Sequence, residues 1–382
     1  MLRIGVLGAG NLGNQVAALA KKTKNFPAVA INSSERDIDS IKSDLDCIIF
    51  GDKNGSGKDR SIAKQFAMNH MRDLLSEQSL ISMLNEVDYC FVITSTGGGT
   101  GSGVGPMITD MLQNFYNAQV EEGELPKVFI NVGVLPSTHE AKGAQRNTAE
   151  YIDEMEKRED ATYMLFDNGR VAGAPNVVFD TVNKAIVEAL AIIRGDYSLD
   201  TPYGMIDEKD MRKLITQPGM LFVDWIRNFY VEKIPVGGSL EDLLLDHVYR
   251  NSCMVSLDRN KVVKRTGFIA NMTEDVHSYF DDNLPKIRAA LGEPLEDFRH
   301  FAVNMDDSDT NFLALIMSGL TLPSARIKAI KERAKDDLPE ISKEKEHAEL
   351  KSTLDIVAKY SGTMAKKPEK KTFDMDAVLS KY

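Results

Sequence analysis

Cysteine and tryptophan are scarce in this chain: Cys47, Cys90 and Cys253 are its three cysteines, and 382 residues hold one tryptophan. Three cysteines cannot pair into a framework of bridges and show no metal-ligand spacing, which excludes a disulfide-stapled fold and points to a reducing cytoplasm. No apolar run approaches the length needed to cross a bilayer. The chain opens on strand-like Leu2-Arg3-Ile4-Gly5-Val6-Leu7 rather than on a charged-then-apolar leader, so neither a membrane nor export is expected. Positive charge is also short: a net charge of -11 disfavours direct nucleic-acid binding by the chain as a whole, although a local basic segment can still do so. Internal repeats are absent. What remains is 43% apolar and 27% charged, the composition of a soluble globular protein, in a chain too long for one ordinary core.

Apolar runs suited to buried parallel strands alternate with helical patterns through the first part of the chain, at 4–7, 29–32, 47–50, 89–94, 128–134 and 163–166. This rhythm predicts a doubly wound, mostly parallel sheet, whose ligands sit beyond the carboxyl ends of the strands. A long connecting helix is expected over 179–194, with Phe179, Val182, Ile186, Leu190 and Ile193 on one face. Past Pro218-Gly219 the texture becomes mixed, with strand signals at 252–257, 262–269, 301–305 and 312–317, which reads as a second α+β domain. A charged helical extension follows from Leu322 to about Tyr360, interrupted at Pro339. The expected division is 1–178, 179–198, 199–325, 326–360 and a tail over 361–382.

Two glycine-rich loops follow strand patterns and open helices. Thr96-Gly97-Gly98-Gly99-Thr100-Gly101-Ser102-Gly103 stands between an apolar strand and a helical pattern from Val104 to Phe115. Such a backbone can approach a phosphate closely and aim helix N-terminal amides at it, while Thr96, Thr100 and Ser102 add hydroxyls. Gly8-Ala9-Gly10-Asn11-Leu12-Gly13 alone matches a dinucleotide fingerprint, so an NAD(P)-dependent oxidoreductase stands as an alternative. Against it, Asn32 and Ser33 stand where a ribose-gripping acid belongs, and one dinucleotide does not need two cradles in one sheet. Asn54-Gly55-Ser56-Gly57-Lys58 is not a P-loop, since Asp52 and Asp59 occupy required Gly and Ser/Thr positions. It reads instead as a basic loop, with Lys53, Lys58 and Arg60, able to close over a terminal phosphate.

The two cradles together resemble the tubulin/FtsZ superfamily, whose loop reads GGGTGTG or GGGTGSG, with clear landmarks over roughly residues 1–220. The chain is most similar to the TubZ family of plasmid and phage partition tubulins, through Ile31-Asn32-Ser33-Ser34, Leu165-Phe166-Asp167-Asn168 and Ile215-Thr216-Gln217-Pro218-Gly219. The resemblance implies GTP or GDP with Mg2+ as ligands, held by Gly10 and Asn11 and by Gly97, Gly98, Gly99, Thr100, Gly101 and Ser102. It implies Asn168 and Asn183 reading guanine, Phe179 stacking on the base and Glu140 contacting the ribose or its loop. Phe179 and Asn183 lie one helical turn apart, so a ring and an amide can share one face. Read without the family, they are an ordinary core aromatic and a polar surface residue.

The same resemblance makes Asp207 and Asp210 the hydrolytic acids, acting on the nucleotide of the next subunit. Read without the family they are a helix cap with an acid three residues on. FtsZ-like chains carry Asn two residues before the first acid, where this chain has Met205. No protein-held metal site is expected. The implied function is a filament-forming GTPase that completes its site head to tail and moves plasmid or phage DNA. Its partners are further copies of itself and a TubR-type DNA-bound adaptor gripped through the tail, where Lys366, Lys367, Lys370 and Lys371 precede an apolar motif at 373–379. FtsZ-like cytokinesis is the alternative role, although the acidic, proline and aromatic tail peptide of FtsZ is not found.

Overall fold

Every apolar run in the first part of the chain becomes a strand of one parallel sheet. The computed structural model describes residues 1–121, 123–198, 201, 205–228, 240–258, 261–303 and 311–335. The strands β1 (Ile4–Ala9), β2 (Ala28–Asn32), β3 (Asp46–Ile49), β4 (Tyr89–Ser95), β5 (Val128–Leu135) and β6 (Thr162–Asp167) run parallel. Their order is β3-β2-β1-β4-β5-β6, so the chain reverses its winding between β1 and β4, and a crevice opens beyond their carboxyl ends. β1, β2 and β6 are buried on both faces, which is why they read as continuous apolar runs.

The helices of this half are α1 (Gly10–Lys24), a short α2 (Glu35–Ile38), α3 (Arg60–Asn69), α4 (Met71–Ser76), α5 (Gln78–Glu86), α6 (Thr100–Asn117), α7 (Lys142–Glu156) and α8 (Pro175–Arg194). Helices α3 to α6 close one face over Leu7, Val29, Ile31, Val92 and Phe129. α1 and α8 pack together on the opposite face. α8 starts four residues before the sequence pattern suggests, because Pro175 takes its first turn, where a missing N–H costs nothing. It ends on Gly195 at φ 93°, a left-handed cap suited to glycine.

The remaining elements are α9 (Glu208–Ile215), β7 (Gly219–Arg227), α10 (Leu240–Asp246), β8 (Arg265–Met272), α11 (Glu274–Leu291), β9 (Glu296–Val303), β10 (Phe312–Leu320) and α12 (Ser324–Lys335). Their strands continue the same sheet in the order β7-β10-β8-β9, with β10 antiparallel to both neighbours. The α+β half is therefore joined edge to edge to the parallel half, through a pairing of β6 with β7 that spans only Thr162–Gly219 and Tyr163–Met220.

Two expectations change here. Segment 252–257 forms no strand: Met254 makes a single antiparallel bridge to Phe166, flanked by Asp167 N–H donating to Cys253 O and Val255 N–H to Leu165 O. It fills the edge of β6 where β7 has diverged, satisfying backbone groups that burial would otherwise orphan. Strand β7 carries no expected counterpart. Of the charged extension expected over 326–360, the described part is α12. The remainder and the tail at 361–382 lie outside the described residues.

Among the described residues no helix is long and apolar enough to cross a membrane. Cys90 is fully enclosed in β4, where burial pushes its thiol up to about 12 and makes it a core residue rather than a reactive one.

α1 lies so close to the sheet that a Cβ at Gly13 would meet the Ile93 carbonyl oxygen at 2.1 Å. Gly13→Ala is expected to destabilise the fold by about 3 kcal/mol or more, since backbone rather than a mobile side chain must yield. Equilibrium urea unfolding checks this, and a midpoint equal to the parent's would show that α1 is free to shift.

Candidate functional site

β1 passes into α1 without a connecting residue, a turn that Gly10 makes at φ 72°. A Cβ at Gly10 would stand 2.8 Å from the Gly101 amide nitrogen, and one at Gly101 would stand 2.8 Å from Ala9 O. The two glycine cradles therefore touch backbone to backbone and form one surface at the carboxyl ends of β1 and β4. Asn14, fully buried on α1, turns its amide nitrogen to the carbonyls of Gly8, Gly10 and Ile31 at 2.9, 3.0 and 3.1 Å. Its oxygen accepts from Asn32 Nδ2 at 3.0 Å. Asn14 is thus a brace of the first loop that sequence reasoning missed. Asn11, by contrast, is exposed on the first turn of α1.

α6 begins at Thr100, so Gly97, Gly98 and Gly99 form the turn ahead of it and aim its N-terminal amides outward. Around Gly98 the space is open, where a ligand can approach. Thr100 Oγ1 lies 2.7 Å from Ser33 Oγ and 3.4 Å from Ser56 Oγ, which draws the loops after β2 and β3 onto the second cradle. The basic loop at 52–58 thus packs against the second cradle. Asn147 of α7 fastens it, its Nδ2 donating to Lys58 O at 2.9 Å, Gly97 O at 3.1 Å and Gly98 O at 3.3 Å.

Arg60 is the exception among the basic residues of that loop. It is the first residue of α3 and only 4% exposed, so its guanidinium does not reach outward to a phosphate. Nη2 donates to Ser102 O at 2.9 Å, and Nε to Ser102 Oγ at 3.2 Å. The reason lies one turn on: Pro106 has no N–H to return to Ser102 O, and the arginine supplies the missing donor. Ser102 Oγ in turn donates to Gly98 O, so the charge is tied to the glycine turn itself. Glu150 at 3.2 Å and Glu154 at 3.0 Å balance it from α7. Beside them, burial holds the Lys64 ammonium below its ordinary value against the pull of Glu154. Ser102 is thus fully buried and braces the cradle from behind, where sequence reasoning placed it among the ligand contacts.

The base end is built by two other elements. Asn168 opens a 3-10 turn directly after β6, and its Nδ2 lies 3.4 Å from Glu140 Oε1, which also accepts from Ser137 N–H at 2.8 Å. Asn168 is 5% and Asn183 8% exposed, and the Oδ1 of each is buried without a hydrogen-bond donor. Buried carboxamide oxygens left empty are costly, and each of these two can still accept from a donor that the described residues do not supply. Phe179, one turn before Asn183, is 40% exposed, an aromatic face on which no ring is stacked among the described residues.

Asp207 and Asp210 stand elsewhere. Asp207 caps α9, its Oδ1 accepting from Asp210 N–H at 2.8 Å. Arg212 of the same helix donates to Pro126 O at 2.6 Å and reaches Tyr89 OH at 3.4 Å, which fixes α9 at the amino ends of β4 and β5. Glu208 and Arg212 line a cavity of about 500 Å3 there with Arg3, Asp88 and Lys127. The acids and the cradles thus occupy opposite ends of the parallel strands, roughly 20 Å apart by the rise of a seven-residue strand such as β4. Met205, two residues before the first acid, is exposed.

Residues 3–174 match the Tubulin/FtsZ family, GTPase domain. Over 216 residues the chain is 27% identical to the tubulin-like protein CetZ of Methanothrix thermoacetophila, covering 50% of this chain and 56% of that protein. Over 218 residues it is 25% identical to the tubulin-like protein TubZ of Clostridium botulinum C phage, covering 55% of each. The chain thus spans just over half the length of these curated relatives. The fold is like that of the GTPγS-form protofilament of Bacillus thuringiensis serovar israelensis TubZ, at a TM-score of 0.70 and 19% identity over 94% of both chains. Two abutting glycine cradles at the switch point of this sheet lie within residues 3–174, the span that is similar to the GTPase domain of the Tubulin/FtsZ family.

Proposed function

We propose that this chain binds GTP in the crevice beyond β1, β4 and β6, assembles head to tail into filaments and hydrolyses the nucleotide at each junction. The observation that carries the reading is the pair of empty, buried carboxamide oxygens on Asn168 and Asn183 beside the exposed face of Phe179. Guanine presents N–H donors on the edge that such oxygens would accept from, whereas the matching ring nitrogen of adenine is itself an acceptor. Gly10 and Asn11, with the amides of Gly97 to Gly101, would take the phosphates. Glu140, which already shares an oxygen with Asn168, would steady the ribose side.

Magnesium is commonly held by substrate phosphates and water with few protein oxygens. The hydroxyls gathered at Ser33, Ser56 and Thr100 are the hard oxygen donors that would join it.

In this reading one protomer cannot complete the reaction, because Asp207 and Asp210 lie at the far end of the strands. A neighbour stacked along the strand direction would bring its acids to the γ-phosphate, where a carboxylate can orient the attacking water. The contact joins unlike surfaces and so propagates as an open filament. Loss of the γ-phosphate would weaken the junction that produced it. We extend the proposal to plasmid or phage DNA segregation through a TubR-type adaptor, on the strength of the tail's lysines at 366–371 and apolar motif at 373–379. Removal of 361–382 should then leave assembly intact and abolish recruitment of filaments to adaptor-coated DNA in a pelleting assay.

Right-angle light scattering with simultaneous phosphate release tests the core of the reading. GTP, and not ATP, GDP or NADPH, should give a rise that decays as phosphate appears. Asp207→Asn keeps an oxygen able to cap α9, so it should assemble, persist and release phosphate roughly 100-fold more slowly. Normal turnover in that variant would remove the trans-acting acid.

Phe179→Ala should weaken GTP binding by about 1 kcal/mol, roughly fivefold, through loss of stacking. Calorimetric titration measures this, and unchanged affinity would place the base elsewhere.

A further inference from the structure

α12 lies more than 150 residues beyond the base-side loops, yet its Arg326 reaches into them. Nε donates to Asp167 Oδ2 at 2.7 Å, while Nη2 donates to Asp167 Oδ1 at 2.9 Å and to Pro136 O at 2.6 Å. The side chains are 12% and 3% exposed, so this is a buried, two-pronged ion pair rather than a surface contact. Asp167 is the residue before Asn168, and its Oδ1 also accepts from Gly169 N–H at 2.8 Å, forming the turn that aims Asn168. Pro136 opens the loop that carries Glu140. A single guanidinium thus ties together the two loops whose side chains face each other across the base end.

We infer that Arg326 is a positioning residue for base recognition: it holds Asn168 and Glu140 in the register that selects guanine, and it does so from outside the GTPase domain. The inference rests on the guanine reading of the crevice. Its chemistry is that of fixed geometry. A carboxamide discriminates between bases only if its oxygen is held against the donor edge, and a mobile side chain loses that discrimination before it loses phosphate binding. A fork-shaped donor is required, since lysine can neutralise Asp167 but cannot reach both its oxygens and Pro136 O in one plane.

A simple structural brace would affect every ligand of the crevice alike, and this separates the two roles. The test uses the full chain and competition between a fluorescent guanine nucleotide and three unlabelled ligands: GTP, ATP and inorganic tripolyphosphate, which meets only the cradles. In Arg326→Ala the preference for GTP over ATP should fall by about tenfold, the effect of one well-placed hydrogen bond, while tripolyphosphate competes as in the parent. Arg326→Lys should fall between. Asp167→Asn keeps an oxygen for the Gly169 turn and should also lose preference. Lys331→Ala, which removes the exposed pairing of α12 with Asp153 and Glu156, should change nothing.

A parental preference in folded Arg326→Ala would overturn the inference, as would equal weakening of all three ligands. Should that variant fail to fold, Arg326→Lys and Asp167→Asn carry the test, and parental preference in both overturns it. If the parent itself does not prefer GTP, the guanine reading fails and the clamp falls with it. A preference that is present in the parent and indifferent to Arg326 sinks the clamp alone.

Discussion

The contact on which the rest of the molecule depends is between two stretches of backbone with no side chains between them. Gly10 meets Gly101, and Gly13 meets the Ile93 carbonyl, because neither position could hold even a methyl group. Close approach at these points brings α1 and α6 to the carboxyl ends of adjacent strands with their N-terminal amides converging. Helix-end dipoles act over about one turn, so two of them cooperate on one anion only when the helices start this close together. The cost is rigidity in sequence: the turn admits little beyond glycine, and the surrounding side chains must supply every brace. Asn14 does so beneath the first cradle, and Asn147 and Arg60 beside and behind the second.

Arg60 shows how the brace was built. Proline inside a helix normally leaves an empty carbonyl one turn back, a defect in a buried place. Here the empty carbonyl belongs to Ser102, and the charge that fills it also holds the hydroxyl that fixes Gly98. Charge balance then requires acids on α7, and Glu150 and Glu154 recur there at helical spacing to face it. Backbone chemistry at one position therefore dictates side chains on two other helices. Removing either partner from such a pair leaves an unpaired charge in a poorly solvated place, which is more damaging than never having had the pair.

Much of this was legible from sequence. The parallel strands announced themselves because strands buried on both faces carry uninterrupted apolar residues, and the cradles because glycine repeats between a strand and a helix have few other uses. The base-side residues were legible only through resemblance, since an Asn after a strand and a Phe on a helix carry no chemistry by themselves. What stayed hidden has a common cause. Asn147 and Arg326 act across long separations, and Asn14 ties its own loop to β2, whereas periodicity sees only neighbours along the chain. Arg60 was read as part of a basic loop able to close over a phosphate because a basic residue beside a glycine loop looks solvent-facing, and nothing local reveals that Pro106 needs it. Segment 252–257 has strand composition but pairs through a single bridge, because the edge it covers is short. β7 was overlooked for the reverse reason, lying where the texture of the chain changes.

The joint between the two halves of the sheet is two residue pairs wide, at the start of β6, and Arg326 crosses from the far half to the near one at the other end of that strand. A free energy that the nucleotide gains by finding Asp167 and Asn168 already aligned must reappear, with the same magnitude, as a preference of α12 for its seat when nucleotide is bound. α12 also leads directly into the rest of the chain beyond residue 335. Tension applied there would therefore be felt as a change in how long the base is retained, and the occupancy of the crevice would be felt as a change in how firmly that end of the chain is held. Were Arg326 to position the base-side loops as inferred, one guanidinium would couple the crevice to that end of the chain.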